Sequence, residues 1–172
     1  MQLKLFSLET LLQVTYDLHK SGKRICLTHG AFYLFHYSHL DLLEKSSSNC
    51  DFLIVSIESD QSVAEYKSYR RPIIDEHSRL RIIGSLECVD AVFMKDIPLE
   101  SNARIELYKA FPVDLFSIGK NYNIAEEIEY DTQKAHVTLM QIETEQIYTT
   151  TSIIQSIIGK YTTKEKPVRK EV

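Results

Sequence analysis

The sequence predicts an α/β protein with a single-domain, doubly wound parallel sheet. Three observations carry this. Short apolar runs such as Phe52-Leu53-Ile54-Val55-Ser56-Ile57 and Ala91-Val92-Phe93-Met94 are rich in β-branched and aromatic residues. Such runs mark strands covered on both faces. Amphipathic stretches of helical period separate these runs along the whole chain, which is the pattern of a parallel sheet with helices on both sides. Polar residues or glycine close several of the runs, Glu58-Ser59-Asp60 and Gly119-Lys120-Asn121 among them. Ligands of such sheets bind beyond the carboxyl ends of the strands, near a switch in strand order.

Taken in order, Ser7 is placed to cap a first helix over 8–20. Its inner stripe is Leu8, Leu11, Leu12, Thr15 and Leu18, and Gly22 ends it. A strand over 24–27 runs into Thr28-His29-Gly30-Ala31-Phe32-Tyr33-Leu34-Phe35-His36-Tyr37-Ser38-His39. The helix that follows carries Leu40, Leu42 and Leu43 on its apolar side and reaches about Ser47. A strand over 52–57 precedes a short helical stretch over 61–66 and the basic loop Lys67-Ser68-Tyr69-Arg70-Arg71-Pro72, where proline disfavours helix. Asp75 caps the next helix, with Leu80, Ile83 and Leu86 facing inward. A strand over 91–94 follows, then a helix holding Ile105, Leu107, Tyr108 and Phe111 that Pro112 stops. Strands over 114–118 and 136–142 complete the sheet. A last helix over 151–158 is closed by Gly159. The domain is therefore expected over 1–159, and 160–172 is expected to be a mobile tail with five basic and two acidic residues.

The 172 residues suffice for one domain with a sizeable core. Five glycines and four prolines argue against a repetitive or disordered chain. No apolar run is long enough to span a membrane, and the N-terminus lacks the apolar core of a signal peptide, so the expected compartment is the cytoplasm. The net charge of −4, with a basic tail inside it, argues against a general nucleic-acid surface. A small nucleotide in a pocket is the expected phosphate ligand. Cys26, Cys50 and Cys88 have neither the count nor the spacing of a disulfide framework or a zinc cluster.

His36 and His39 stand three apart where loop becomes helix, on one face of the first turn. A helix start offers unpaired N–H groups and partial positive charge, and so attracts anions. Two imidazoles there point to phosphate chemistry, although two structural histidines fit the stretch by itself equally well. There is no G-x-G-x-x-G after the first strand and no G-x-x-x-x-G-K-[ST] anywhere. A metal shared by the histidines is a minor alternative, and no G-x-S-x-G elbow supports a serine hydrolase.

The block from Gly22 through Gly30-Ala31-Phe32 to His36-Tyr37-Ser38-His39 resembles the start of the cytidylyltransferase-like nucleotidyltransferases, a strand followed by G-x-F-D-x-x-H-x-G-H. Ser59-Asp60-Gln61-Ser62-Val63 with Lys67 and Arg71-Pro72-Ile73 resembles the family's next block. Arg79 and Leu86-Glu87-Cys88-Val89-Asp90 continue it. Tyr148-Thr149-Thr150-Thr151-Ser152-Ile153-Ile154 is similar to the terminal Y-S-T-T-S-I-I block. The four blocks stand in family order from about Leu8 to Ile158. They look most like the D-glycero-β-D-manno-heptose 1-phosphate adenylyltransferases.

The resemblance implies a Rossmann-like fold of the HIGH type and transfer of a nucleotidyl group from ATP to a sugar phosphate, with release of pyrophosphate. CTP acting with a phosphorylated alcohol is the nearest alternative, and a catalytically impaired nucleotide-binding homologue is another. His36, His39 and Lys67 are the implied catalytic residues. Gly30, Ala31, Phe32, Ser38, Gly119, Thr150, Thr151 and Ser152 are the implied nucleotide contacts, and Tyr33, Arg71 and Arg79 the substrate contacts. For Arg79 a salt-bridged helix face serves equally well. Mg²⁺ accompanies the triphosphate, no metal is held by the protein itself, and a homodimer is implied. The chain departs from the pattern at Tyr33, where the family has Asp, and at Ser38, where it has Gly. It also carries His29 before the first glycine, Gly119-Lys120-Asn121 in place of G-G-D, and Thr149 in place of serine.

Overall fold

The computed structural model describes residues 4–95, 101–120, 125–145 and 147–162. It holds α1 (Leu8–Lys20), β1 (Ile25–Gly30), α2 (Tyr37–Ser47), β2 (Phe52–Glu58), α3 (Asp60–Tyr66) and α4 (Glu76–Gly84). These are followed by β3 (Ala91–Lys95), α5 (Ser101–Ala110), β4 (Leu115–Gly119), α6 (Ala125–Ala135), β5 (Thr138–Ile142) and α7 (Thr150–Thr162). The five strands form one sheet in the order β3-β2-β1-β4-β5, with every neighbouring pair parallel. The chain adds strands on one side of β1, then crosses to the other. The switch therefore falls between β1 and β4, where a crevice opens at their carboxyl ends.

Strand alternation divides the core between the two faces of the sheet. On one face Ile25, Leu27 and Ile54 pack with Leu11, Leu107, Tyr108 and Ile128 from the helices and with Phe111 just after α5. On the other, Cys26, Leu53, Val55 and Ile57 pack with Leu43 and Ile83. The expected double coverage of the strands holds. Ser7 caps α1 by accepting from the Thr10 N–H, and Asp75 caps α4 by accepting from the Ser78 N–H. Gly22 takes φ +76°, the left-handed turn after a helix end that favours glycine.

Four features depart from the sequence reading. Leu5, ahead of α1, forms a parallel bridge with Val92 on the sheet edge. A helix, α6, occupies a stretch that showed no helical stripe, because its buried face is Ile128, Asp131 and Thr132. Two polar residues out of three hide the periodicity. His136 and Val137 belong to the turn closing α6 rather than to β5. His136 has φ +60°, and the Val137 N–H donates to the Thr132 carbonyl. Finally, α7 runs through Gly159 to Thr162. An interior glycine costs a helix only about 1 kcal/mol relative to alanine, and the flanking residues carry the helix across it. Residues 160–162 are thus helical rather than tail. Asn121 and residues 163–172 lie outside the described residues. Among the described residues no helix is long and apolar enough to cross a membrane.

Candidate active site

A cavity of about 290 Å³ lies over the switch point. The end of β1 brings His29 and Gly30 to its wall, and the end of β4 brings Gly119. The loop after β1 supplies Ala31, Phe32 and Tyr33. The start of α2 supplies His36, Ser38 and His39, α3's end supplies Lys67, and α7's start supplies Thr150. Leu42, Thr144, Tyr148 and Thr149 complete the lining. Most of the residues singled out from sequence therefore meet in one place.

The loop after β1 is shaped by Gly30 and Phe32. Phe32 sits at φ +48°, unusual for a bulky residue, and its ring lies over Gly30. A Cβ on Gly30 would stand 2.9 Å from that ring, so only glycine leaves the ring where it is. The Phe32 ring meets His39 edge-on at 5.3 Å between centroids, and Phe35 stacks on His39 at 5.8 Å. The aromatic side chains thus hold the second histidine in place.

His36 is the N-cap residue of α2, in extended conformation. Its ring stacks on His39 with centroids 3.8 Å apart. The His36 N–H donates to His39 Nδ1 at 3.3 Å. A backbone N–H can only donate, so Nδ1 is bare and the neutral ring carries its proton on Nε2. His39 is thereby fixed as an N–H donor at the cavity wall. His36 Nδ1 is buried and has no hydrogen-bond partner among the described residues. Burial holds His36 below the ordinary histidine pKa. His39 is pushed down to about 3, by burial first and then by the nearby His36 and Lys67. The site without ligand keeps both rings neutral and repels added positive charge, a state that a polyphosphate would relieve.

Lys67 places its ammonium 5.4 Å from the centre of the Tyr33 ring, and Arg71 places its guanidinium 5.2 Å from the same ring. Burial lowers the Lys67 pKa; Glu58 opposes this and Arg71 adds to it. Tyr33 is itself buried, which raises its pKa against the pull of Arg71. Thr150, beside its hydroxyl, pulls the pKa down in the same direction as Arg71.

Several candidates do other work. Arg79 is buried under the loop, with Nε donating to the Ile74 carbonyl at 3.0 Å and Nη2 bridged to Asp60 at 2.6 Å. Its Nη1 donates to the Ala31 carbonyl. This guanidinium is committed inside the protein, so Arg79 fixes the loop after β1 instead of reaching a substrate. Ser152 closes a reciprocal cap: its Oγ accepts from the Thr149 N–H at 2.9 Å while Thr149 Oγ1 accepts from the Ser152 N–H at 3.0 Å. Thr151 is exposed, and neither it nor Ser152 lines the cavity. Ser38 donates to the carbonyls of Glu145 (2.8 Å) and Tyr148 (3.1 Å), tying α2 to the loop before α7. Asp41 and Lys45 strengthen that tie, Asp41 by accepting from the Glu145 N–H at 2.8 Å and Lys45 by donating to the Glu143 carbonyl at 3.0 Å. Thr144 had no signal in the sequence and Leu42 read only as part of an apolar helix face, since their place at the wall comes from this tertiary tie.

The parallel sheet, the crevice at its switch point and the paired imidazoles beside a lysine define an α/β domain with a donor-lined cavity at the carboxyl ends of its strands. The cytidylyltransferase-like family model matches residues 27–167, and the chain belongs to that family. It is 38% identical over 121 residues to the bifunctional protein HldE of Desulfatibacillum aliphaticivorans, covering 70% of this chain and 24% of that protein. With the bifunctional protein HldE of Helicobacter pylori (strain HPAG1) it shares 34% over 154 residues, 90% of this chain and 31% of that protein. The chain thus spans between about a quarter and a third of these relatives. The fold is also that of a lipopolysaccharide core biosynthesis protein from Thermoplasma volcanium GSS1, with TM-score 0.58 and 23% identity, covering 74% of this chain and 100% of that one. A pantoate-beta-alanine ligase from Francisella tularensis shares it at TM-score 0.61 and 15% identity, covering 95% of this chain and 80% of that one.

Proposed function

We propose that the chain transfers an adenylyl group from ATP to a sugar 1-phosphate of the heptose 1-phosphate class and releases pyrophosphate. The observation that carries the reading is the bond from the His36 N–H to His39 Nδ1, which leaves a fixed Nε2–H donor at the cavity wall beside Lys67. In this reading an oxygen of the acceptor phosphate attacks the α-phosphorus, a P–O bond forms there, and the bond to the β-phosphate oxygen breaks. The nucleophile arrives ionised, so no general base is required. The described lining of the cavity holds no aspartate or glutamate. Rate enhancement then comes from positioning and from donors aimed at developing charge.

His36, His39 and Lys67 take the triphosphate oxygens, and Gly30 and Gly119 let the nucleotide approach the strand ends. The adenylyl donor and the sugar phosphate follow from the resemblance in four blocks and from the HldE relatives. The described cavity wall offers Mg²⁺ no carboxylate ligand, so the ion belongs to the triphosphate and its waters. A cytoplasmic homodimer belongs to the same reading. Ser38 and Tyr33 favour a second reading, a nucleotide-binding homologue without turnover. Pyrophosphate release measured with ATP, CTP, GTP and UTP against D-glycero-β-D-manno-heptose 1-phosphate and glycerol 3-phosphate decides between them. The sugar phosphate with ATP is expected to give the fastest release. Release only with CTP and glycerol 3-phosphate gives the cytidylyl alternative, and nucleotide binding without release gives the second reading.

A further inference from the structure

The helix α7 buries none of its residues, and Ile142 at the end of β5 is the last buried residue of the chain among those described. Apolar packing within the chain therefore does not decide where α7 begins. Yet its first turn and the loop ahead of it bring Thr144, Tyr148, Thr149 and Thr150 to the cavity wall.

Polar bonds from one face of α2 hold them there. Ser38, Asp41 and Lys45 follow one another at spacings of three and four, which places them on that face. The Asp41 side belongs to a residue only 7% exposed, and its carboxylate accepts from the Glu145 N–H at 2.8 Å and from the Lys45 ammonium at 2.9 Å. Bonds to an ionised group are roughly twice as strong as neutral ones. Lys45 also donates to the Glu143 carbonyl at 3.0 Å. Ser38 has one hydroxyl proton for two carbonyl oxygens, that of Glu145 at 2.8 Å and that of Tyr148 at 3.1 Å. The shared proton holds those two carbonyls near each other as well as near α2. Tyr148 leads directly into the cap of α7, where Thr149 and Ser152 bond reciprocally.

Both helices begin at the cavity, α2 with His36 and His39 and α7 with Thr150. A ligand between two helix starts is bound best when both reach it at once. We propose that Asp41 and Ser38 are positioning residues for the nucleotide: through Glu145 and Tyr148 they hold the start of α7 at a fixed distance from the start of α2. Asp41 lies outside the cavity lining and acts only through the loop. Ser38 lines the cavity, but its hydroxyl proton is committed to the loop. The inference deepens the nucleotidyl-transfer reading and rests on it for the identity of the ligand.

The test compares wild type, Asp41→Ala, Ser38→Ala and the double variant, each shown to be folded by circular dichroism. Amide hydrogen exchange is followed without ligand, and the affinity for α,β-methylene-ATP is measured by calorimetry. In Ser38→Ala the Glu145 amide keeps its own acceptor, Asp41, yet it should exchange at least five-fold faster because the loop is loosened, while the amides of β1, β2 and β4 keep their rates. Each single variant should bind the analogue about ten-fold more weakly. The double variant should lose no more than about twenty-fold, since both side chains act through one loop. Where turnover is measured, the loss should fall on KM for ATP, with kcat reduced less than about three-fold. Wild-type affinity in Asp41→Ala overturns the proposal. So does a double variant weakened about a hundred-fold, the product expected of independent contacts. Weaker binding by Ser38→Ala with unchanged Glu145 exchange also overturns it, by making Ser38 a direct nucleotide contact. If wild type binds the analogue and releases no pyrophosphate with any acceptor, the transfer reading fails and the positioning proposal is still decided by affinity and exchange. If wild type binds no analogue, both fail.

Discussion

At the level of single residues the site depends on protons. His39 folds with a pKa near 3 against an ordinary 6.5, because burial and the neighbouring His36 and Lys67 penalise its charged form. A basic group with a depressed pKa binds fewer protons folded than unfolded. Without ligand the domain therefore loses stability as pH falls from 6.5 toward 3, and this term vanishes above 6.5. His39 Nδ1 accepts from the His36 N–H, so the proton that a polyphosphate would favour goes to the unpartnered Nδ1 of His36, whose pKa burial holds low in the ligand-free site. Binding of an ATP analogue at pH 6 should then take up protons, read by calorimetry in buffers of different ionisation enthalpy. His36→Asn should reduce the uptake, and an uptake unchanged in that variant would show that the His36 imidazole does not face the phosphates. The histidine pair and Lys67 were visible in the sequence. The tautomer was not, since it depends on one backbone N–H. Nor was the commitment of Arg79, whose partners Ala31 and Asp60 are distant in the chain.

At the level of elements, the loop after β1 decides where the imidazoles lie. Gly30 allows the Phe32 ring over the backbone, and that ring meets His39 edge-on. In Gly30→Ala the new Cβ must displace the ring, an overpacking cost of about 1–3 kcal/mol. The displacement passes to His39. Turnover should therefore fall by more than ten-fold while the melting temperature drops only a few degrees, and normal turnover in a destabilised variant would detach the loop from the chemistry. The caps at Ser7 and Asp75 and the strands were legible because local pattern and tertiary burial agree there. The helix α6 was not, since Asp131 and Thr132 occupy its buried face. The terminal threonine block was legible as a helix start, yet the work divides within it. Thr150 reaches the cavity, whereas Ser152 completes the cap.

At the level of the whole molecule, strand order places the site. With β1 and β4 adjacent and parallel, Gly30 and Gly119 end side by side under the cavity, although 88 residues separate them in sequence. The sequence pointed to both strand ends as ligand-facing but did not show that they are neighbours, because strand order is a property of the assembled sheet. The loop before α7 is drawn over the cavity by Ser38, Asp41 and Lys45, so the last element of the fold closes a site that the first strand opens. The central claim is that this site moves a nucleotidyl group with the imidazole pair as phosphate donors. Its most direct test is the rate of acceptor-dependent pyrophosphate release from ATP by wild type and by His39→Ala, with both chains shown to be folded by circular dichroism. Wild type should release one pyrophosphate per nucleotidyl sugar formed, and His39→Ala should be slower by about 10²–10³-fold, the loss seen when a transition-state donor is removed. Equal rates in the two chains would contradict the account.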